Sequence, residues 1–506
     1  MVSPLSTSYD RLLAKLKRAY VVETVGGVLG WDEQVNLPPD SAALRAEQMA
    51  VMAELSHQAS TDPEIESLLQ DLELPRTPLT PDQSVVVRWT RREYDRVTKL
   101  PAAFVAERAR QSSAAYHAWA ECRKKNDFPG YAPFLDRQLA LAKEEAVLLG
   151  WGDRAYDYAI DKHDPGMTTA TVAALFAELK EGLLPLVRQI VAAAAPLPPD
   201  PFCGFPVEAQ RVFLREVTEK LGFDYGRGRI DVSLHPFCGG APTDVRMTTR
   251  FNEDAPLDSL FSSIHETGHG LYEQGLAIPD LGTPLGQSVG MGVHESQSRL
   301  WENQVSRSRA FWSYFEPRFR ELFPQQTRTV DSETLYRAIN AVEPTLIRVD
   351  ADEVTYNLHI LLRFEIEQRL FKGELEVRDL PATWNALSAE IVGLVPPNDT
   401  LGVLQDVHWS GGAFGYFPSY CIGNMMAAQL WYTVLGEIPG LESDFARGDF
   451  SRLLGWLRTR IHREGRRHDT LALVRRVTGE PLSPRHLLRY LRERYLPLYS
   501  KPAGNA

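Results

Sequence analysis

The segment Phe261-Ser262-Ser263-Ile264-His265-Glu266-Thr267-Gly268-His269-Gly270-Leu271-Tyr272 carries two histidines and a glutamate in the pattern H-E-x-x-H. On a helix this spacing sets both imidazoles one turn apart on the same side, where they can reach one cation as two ligands of a zinc ion. Glu266 projects within the same arc and is the candidate general base, able to take a proton from water without itself ligating. Leu257, Leu260, Phe261, Ile264, Gly268, Leu271 and Tyr272 recur at three- and four-residue steps, which predicts an amphipathic helix. Pro256 suits its first turn, Asp254 is placed to cap it, and Gly275 to end it. Gly268 and Gly270 each cost a helix about 1 kcal/mol relative to alanine, so their presence points to close backbone packing. Three fixed positions also arise by chance in long helices, so the pattern calls for a further partner.

A catalytic zinc needs a third protein ligand and an open position for water. Val293-His294-Glu295-Ser296-Gln297-Ser298-Arg299 supplies candidates, with 25 residues between His269 and Glu295. Glu295 would complete a set of two histidines and one carboxylate, as in glutamate-type zincins. The metzincin arrangement is absent, because Gly275 stands where its third histidine would be. His294 competes as ligand; the preferred reading gives it a contact to a ligand or to substrate. A solvated helix face would have the same residues.

These side chains need a scaffold. With 55 Lys and Arg against 66 Asp and Glu, the net charge of −11 offers no basic surface for nucleic acid. The N-terminus lacks a basic start followed by an apolar core, and no uncharged apolar run is of membrane-spanning length, so a soluble, intracellular, cytoplasmic protein is expected. Cys122, Cys203, Cys238 and Cys421 are dispersed, which favours reduced thiols over disulfides or a thiolate metal site. Helices are expected over Tyr9–Val28, Ala42–Gln58, Asp82–Lys99, Ala102–Lys125, Thr169–Ala195 and Pro206–Leu221, with a turn at Pro75-Arg76-Thr77-Pro78. Pro196-Leu197-Pro198-Pro199-Asp200-Pro201 reads as the break between two lobes. Residues 229–235 and 244–251 alternate at period two, which predicts a short antiparallel sheet with Cys238-Gly239-Gly240-Ala241-Pro242 as connection. An exposed edge of it would accept an extended peptide. Asp352 is placed to cap a helix over Glu353–Phe371, leaving Arg348 where its side chain can enter a cleft; a surface ion pair fits that position equally. The glycine- and aromatic-rich run from Gly402 to Tyr420 reads as a binding loop, with His408, Tyr416 and Tyr420 as its proton-capable groups.

Several segments, taken in order, resemble the carboxypeptidase Taq family of zinc metallocarboxypeptidases, also called thermostable carboxypeptidases. They are Trp31-Asp32 with Pro38, His235-Pro236-Phe237, Asp244-Val245-Arg246-Met247-Thr248, His265 to His269, His294-Glu295-Ser296, Ile347-Arg348-Val349-Asp350-Ala351-Asp352, and Gly402 through Gln405-Asp406-Val407-His408-Trp409. The resemblance implies a mainly α, many-helix zincin-like fold with a deep central groove and a small antiparallel sheet beside the active site. It implies one catalytic domain, residues 1–506, with a lobe to either side of roughly residue 200. His265, His269 and Glu295 would bind the metal, and Glu266 would be base and proton shuttle. Zinc is expected, and the same ligands tolerate Co2+ and Mn2+. Arg348, with Arg246 and the His235 segment, would close one end of the groove, and His294 would border it.

The activity so implied is removal of C-terminal residues from peptides with a free C-terminus, broadly over side chains but poorly at proline, by a homodimer. An arginine suits a free carboxylate because it is permanently charged and binds in a bidentate way. The alternatives are a zinc oligopeptidase cutting inside short peptides, and a peptide-binding protein with a structural zinc. No fourth protein ligand for a closed structural site is apparent in the sequence.

Overall fold

Apolar residues at helical spacing fold most of the chain into α-helices, from Pro4–Val35 to Arg485–Tyr499. The structure, a computed structural model, describes residues 4–74, 78–193 and 202–499. The expected lobe break at Pro196 to Pro201, and the Pro75-Arg76-Thr77 part of the earlier turn, lie outside the described residues. Helices occupy Ala42–Ser60, Pro81–Thr98, Ala102–Lys125, Thr169–Ala193 and Val207–Leu221, close to the bounds read from sequence. No helix among the described residues is long and apolar enough to cross a membrane.

Helix Phe417–Glu437 runs through the centre. It is apolar on all sides, and fifteen of its residues from Phe417 to Val434 are buried, the pattern of a helix enclosed by others. Against it pack Met291–Arg299, Tyr356–Lys372 and Arg485–Tyr499, and their buried apolar residues, with those of Pro256–Gly275, belong to one core extending from Trp89 to Tyr499. A second, much smaller core joins Leu12 of the first helix to Ile65, Leu68, Leu69, Leu72 and Val87. The first helix also reaches the rest of the molecule through Trp31, which has the guanidinium of Arg229 at 4.9 Å and that of Arg246 at 4.4 Å from its ring.

The one sheet among the described residues has three strands, β1 (Gly228–Val232), β2 (Cys238–Ala241) and β3 (Asp244–Thr249), in the order β1-β3-β2. It is small, but mixed rather than antiparallel. β1 pairs with β3 in parallel, Ile230 opposite Met247, and β2 pairs with β3 antiparallel. The segment expected as a connection is therefore itself a strand. Alternation fixes which face a residue takes and leaves strand direction open; here direction is set by the five residues between β1 and β2. Ser233 donates its hydroxyl to Thr248 Oγ1 at 2.7 Å, Phe237 N–H donates to the same oxygen at 3.0 Å, and Thr248 N–H donates to Phe237 O at 2.8 Å. Those bonds carry the chain past the end of β3 to its other side. Gly240 then turns at φ +124°, where an added Cβ would strike the Asp244 carbonyl.

Two capping expectations are corrected. Helix Pro256–Gly275 has Ala255 at its N-cap with no side-chain bond, while Asp254 accepts from Gly204 N–H and from the Cys203 thiol, both at 3.0 Å. Asp352 does accept from Val354 N–H at 2.8 Å and Thr355 N–H at 3.0 Å, but the helix it precedes starts only at Tyr356.

Candidate active site

Helix Pro256–Gly275 buries Leu260, Ile264 and Leu271, and His265 and His269 emerge beside that stripe. Each apolar side chain so buried stabilises the fold by about 1.5–3 kcal/mol, which fixes the helix and with it the direction of both imidazoles. Met291–Arg299 crosses it at Gly268, where a Cβ would lie 2.5 Å from Ser298 Cα and 2.6 Å from Gln297 O. Bare backbone is required there, and it brings Glu295 to the histidines. From the other side Gly423 of the central helix leaves room for the glutamate, since a Cβ there would fall 2.5 Å from Glu295 Cγ. Asp164, fully enclosed, accepts from Gly292 N–H at 2.8 Å and from the Ser419 hydroxyl at 2.5 Å, tying the start of the Glu295 helix to the central one.

The three groups converge. His265 Nε2 lies 3.2 Å from His269 Nε2, and Glu295 Oε2 lies 3.5 Å from each. Bonds of 2.0–2.1 Å in a tetrahedron put neighbouring ligand atoms about 3.3 Å apart. The donor set of two imidazoles and one carboxylate thus fits a divalent cation, and a tetrahedral ion would keep one position free of protein. Each imidazole turns its other nitrogen to a partner that sets its tautomer and orientation. His265 Nδ1 is 2.9 Å from Glu302 Oε2, and His269 Nδ1 is 2.6 Å from His294 Nδ1, whose Nε2 is 2.8 Å from Glu273 Oε1. His294 therefore stands behind His269, on the side away from Glu295. Arg299 donates to Glu295 Oε1 at 2.7 Å and to Glu302 Oε2 at 3.0 Å, coupling two sides of the site.

Electrostatics separate the carboxylates. Burial opposes ionisation of Glu295, but Arg299 and the histidines hold it well below the usual range. Glu302, with the same arginine and His265, is held at about 2 against the cost of its burial. Burial pushes Glu266, 8 % exposed, up to about 7, with Glu295 and Glu302 adding to the rise. Burial likewise depresses His269 to about 3, which keeps it neutral as a ligand must be.

The run read from sequence as a loop packs against this centre, but it is not a loop throughout: the central helix begins at Phe417, and Tyr420 stands on its first turn. His408 Nε2 is 3.1 Å from the Tyr420 hydroxyl, and the Tyr416 ring lies 5.3 Å from that of Tyr420 and 5.6 Å from the His408 ring. Burial raises both phenols, Tyr416 to about 12, and the Glu295 carboxylate is a further cause for each, so both lie on the side of the histidine–carboxylate triad. Burial holds His408 at about 4.

Arg348 is inside the protein, 6 % exposed. It donates to Asp406 Oδ1 through Nε at 3.1 Å and Nη2 at 2.8 Å and to the Tyr356 hydroxyl at 2.9 Å, and its guanidinium is 5.1 Å from the Tyr420 ring. Arg363, fully buried, donates to the other oxygen of Asp406 at 2.7 Å. Two guanidiniums thus share one carboxylate. Arg246 grips Asp244 with two bonds of 2.9 Å, and His235 is exposed at the turn between β1 and β2. The sheet borders the site through the half-buried Cys238 of β2: burial, then Glu266 and Glu273, push its thiol upward.

Glu302, Arg299, Glu273, Asp406 and Arg363 were not singled out as functional from sequence. Glu295, Arg299 and Glu302 recur at steps of four and three, a one-face signal that was legible, although a π-helical turn, Leu300–Val305, follows Arg299. The carboxylate partner of Arg348, Asp406, lies 58 residues away, beyond any local pattern.

Comparison with known proteins identifies the family. Residues 11–495 match the family described as carboxypeptidase Taq (M32) metallopeptidase. The chain is 44% identical to thermostable carboxypeptidase 1 of Thermus thermophilus, over 97% of this chain and 99% of that one. It is 36% identical to carboxypeptidase 1 of Bacillus subtilis, over 96% and 97%. Among solved structures, the M32 carboxypeptidase from Deinococcus radiodurans superposes with a TM-score of 0.95 at 43% identity, covering 97% of this chain and 99% of the other. A Pyrococcus furiosus carboxypeptidase structure gives 0.93 at 34% identity, over 97% and 99%. With nearly its whole length matched, this chain belongs to the carboxypeptidase Taq family of metallopeptidases and is a metal-dependent carboxypeptidase.

Proposed function

We propose that the chain removes residues one at a time from the free C-terminus of peptides, with broad side-chain tolerance and poor acceptance of proline. His265, His269 and Glu295 would hold the metal, most simply zinc, with Co2+ and Mn2+ compatible. A divalent cation so bound supplies Lewis acidity, which polarises a carbonyl and makes water a nucleophile at neutral pH. The observation that carries the reading is the close triangle of two Nε2 atoms and one carboxylate oxygen beside a separate acid, Glu266, which burial raises to about 7.

Glu266 takes the proton of the attacking water and returns it to the departing amine, a task suited to an acid whose pKa lies near 7. The charge that develops on the carbonyl oxygen is met by donors of the loop and of the first turn of the central helix, for which His408 and Tyr416, and Tyr420, are the candidates. Arg348 receives the terminal carboxylate. That assignment is supported by the two guanidiniums around Asp406, which leave one positive charge unmatched in a buried place. His294 keeps His269 aligned. Arg246 and His235 bound the groove on the sheet side, a role resting on the family pattern. The same pattern carries the proposal of a homodimer acting in the cytoplasm.

The test is a defined peptide offered to metal-replete protein as free acid and as C-terminal amide, with products read by mass spectrometry. A ladder shortened from the C-terminus is expected. Loss of a charge-assisted pair worth about 1.5–3 kcal/mol should slow the amide by roughly 10–100-fold. Equal rates on both, with cuts inside the chain, would mean an oligopeptidase and remove Arg348 from this role.

A further inference from the structure

Helix Tyr356–Lys372 sends one carboxylate, Glu367, into the core beneath the loop that carries His408 and Tyr416. Glu367 is fully buried. Its Oε1 accepts from the Trp409 indole N–H at 2.7 Å, and its Oε2 accepts from the Gly415 backbone N–H and the Tyr156 hydroxyl, both at 2.9 Å. Trp409 follows His408 and Gly415 precedes Tyr416, so the carboxylate grips the loop one residue inside each of the two groups. Gly415 turns at φ +74°, and a Cβ there would collide with the backbone of Ala159. One helical turn before Glu367, Arg363 holds Asp406, two residues ahead of His408.

Three donors converge on two oxygens, and all three are neutral. An ionised carboxylate can accept every one of them without presenting a hydrogen of its own. An amide keeps acceptor oxygen on one side only and turns N–H groups toward a donor on the other. Burying a carboxylate without an ion pair carries a desolvation cost that an aliphatic core residue would avoid.

We propose that Glu367 is the positioning residue of the His408–Tyr416 loop, fixing the separation and direction of these two groups before substrate arrives. The inference rests on the reading of His408 and Tyr416 as donors to the carbonyl oxygen. The loop is then preset rather than folded over the substrate, the condition under which such donors contribute most.

The experiment compares Glu367→Gln, Trp409→Phe, Tyr416→Phe and His408→Gln in the metal-loaded full chain. Glu367→Gln should speed amide hydrogen exchange over residues 408–416 at least tenfold, with helix Pro256–Gly275 and metal content unchanged. Its kcat should fall by roughly 10–100-fold, the cost of a misplaced group, while KM moves by less than about threefold. Trp409→Phe keeps the carboxylate and removes one donor; it should show the same changes at smaller size, and it decides the matter if Glu367→Gln does not fold. Unchanged exchange over 408–416 in the folded variants overturns the proposal, whatever the kinetics. Faster exchange with undiminished kcat overturns it too, where Tyr416→Phe does lower kcat. If neither Tyr416→Phe nor His408→Gln affects kcat, the donor reading fails, and exchange still tests the clamp separately.

Discussion

Four glutamates crowd around two imidazoles, and their surroundings divide the labour among them. Glu295 and Glu302 are held ionised by Arg299, and Glu273 faces His294. Glu266 instead has burial and two negative neighbours acting on it, which raises it toward 7. Carboxyls whose environments pull their pKa values apart are the sign of separate acid–base and ligand roles. Glu266→Gln keeps the shape and removes the proton carrier. Turnover should drop by about 100- to 10,000-fold with metal still bound near one per chain, measured by peptide hydrolysis beside elemental analysis. Turnover at the original rate would take Glu266 out of the mechanism.

At the level of elements, the site depends on how closely three helices approach. Gly268 lets Pro256–Gly275 touch the backbone of Met291–Arg299, and Gly423 lets the central helix touch Glu295. Gly268→Ala would gain about 1 kcal/mol in helix propensity. The collision with Ser298 and Gln297 has no flexible side chain to absorb it, and overpacking of about 3 kcal/mol or more outweighs that gain. A net loss of about 2 kcal/mol is expected in denaturant unfolding, together with weaker metal retention as Glu295 is pushed away. Stability equal to or above that of the parent would show that the helices can part without harm.

Much of this was legible because it is local. Pro256, Gly275 and the apolar stripe gave the histidine helix its bounds, and Gly268 announced close packing. What escaped depends on distant partners. The direction of β1 is set by Thr248, across the sheet, and Asp254 bonds a loop 50 residues earlier rather than the helix it precedes. Arg348 reads in sequence as a cleft residue or as half of a surface ion pair, and turns out to be buried and held by Asp406.

Over the whole molecule, burial leaves several histidines neutral inside the fold. It lowers His163 and His408 to about 4, His359 to about 3, and His462 well below its usual value. The unfolded chain binds protons at these groups from about pH 6.5 downward, so it holds more protons than the folded state and stability rises with pH there. The stability they contribute is whole above about pH 6.5 and is lost as pH falls toward 3–4. Glu266 and Glu367, both pushed up to about 7 by burial, act with the opposite sign between about 4.5 and 7, two groups against these four histidines and His269. The melting temperature of chelator-treated protein should fall as pH is lowered from about 6.5 to 4. His359→Gln, at a site 2 % exposed, should flatten that fall. A melting temperature that stays level or climbs over this range would contradict the assignment.

The bare crossing at Gly268 has one more implication. Two main chains in direct touch leave no cushion of side-chain atoms to soften on warming. The triangle of ligand atoms ought then to hold its dimensions until the helices themselves come apart, so that heat silences the enzyme and melts it in the same event rather than dulling it by degrees.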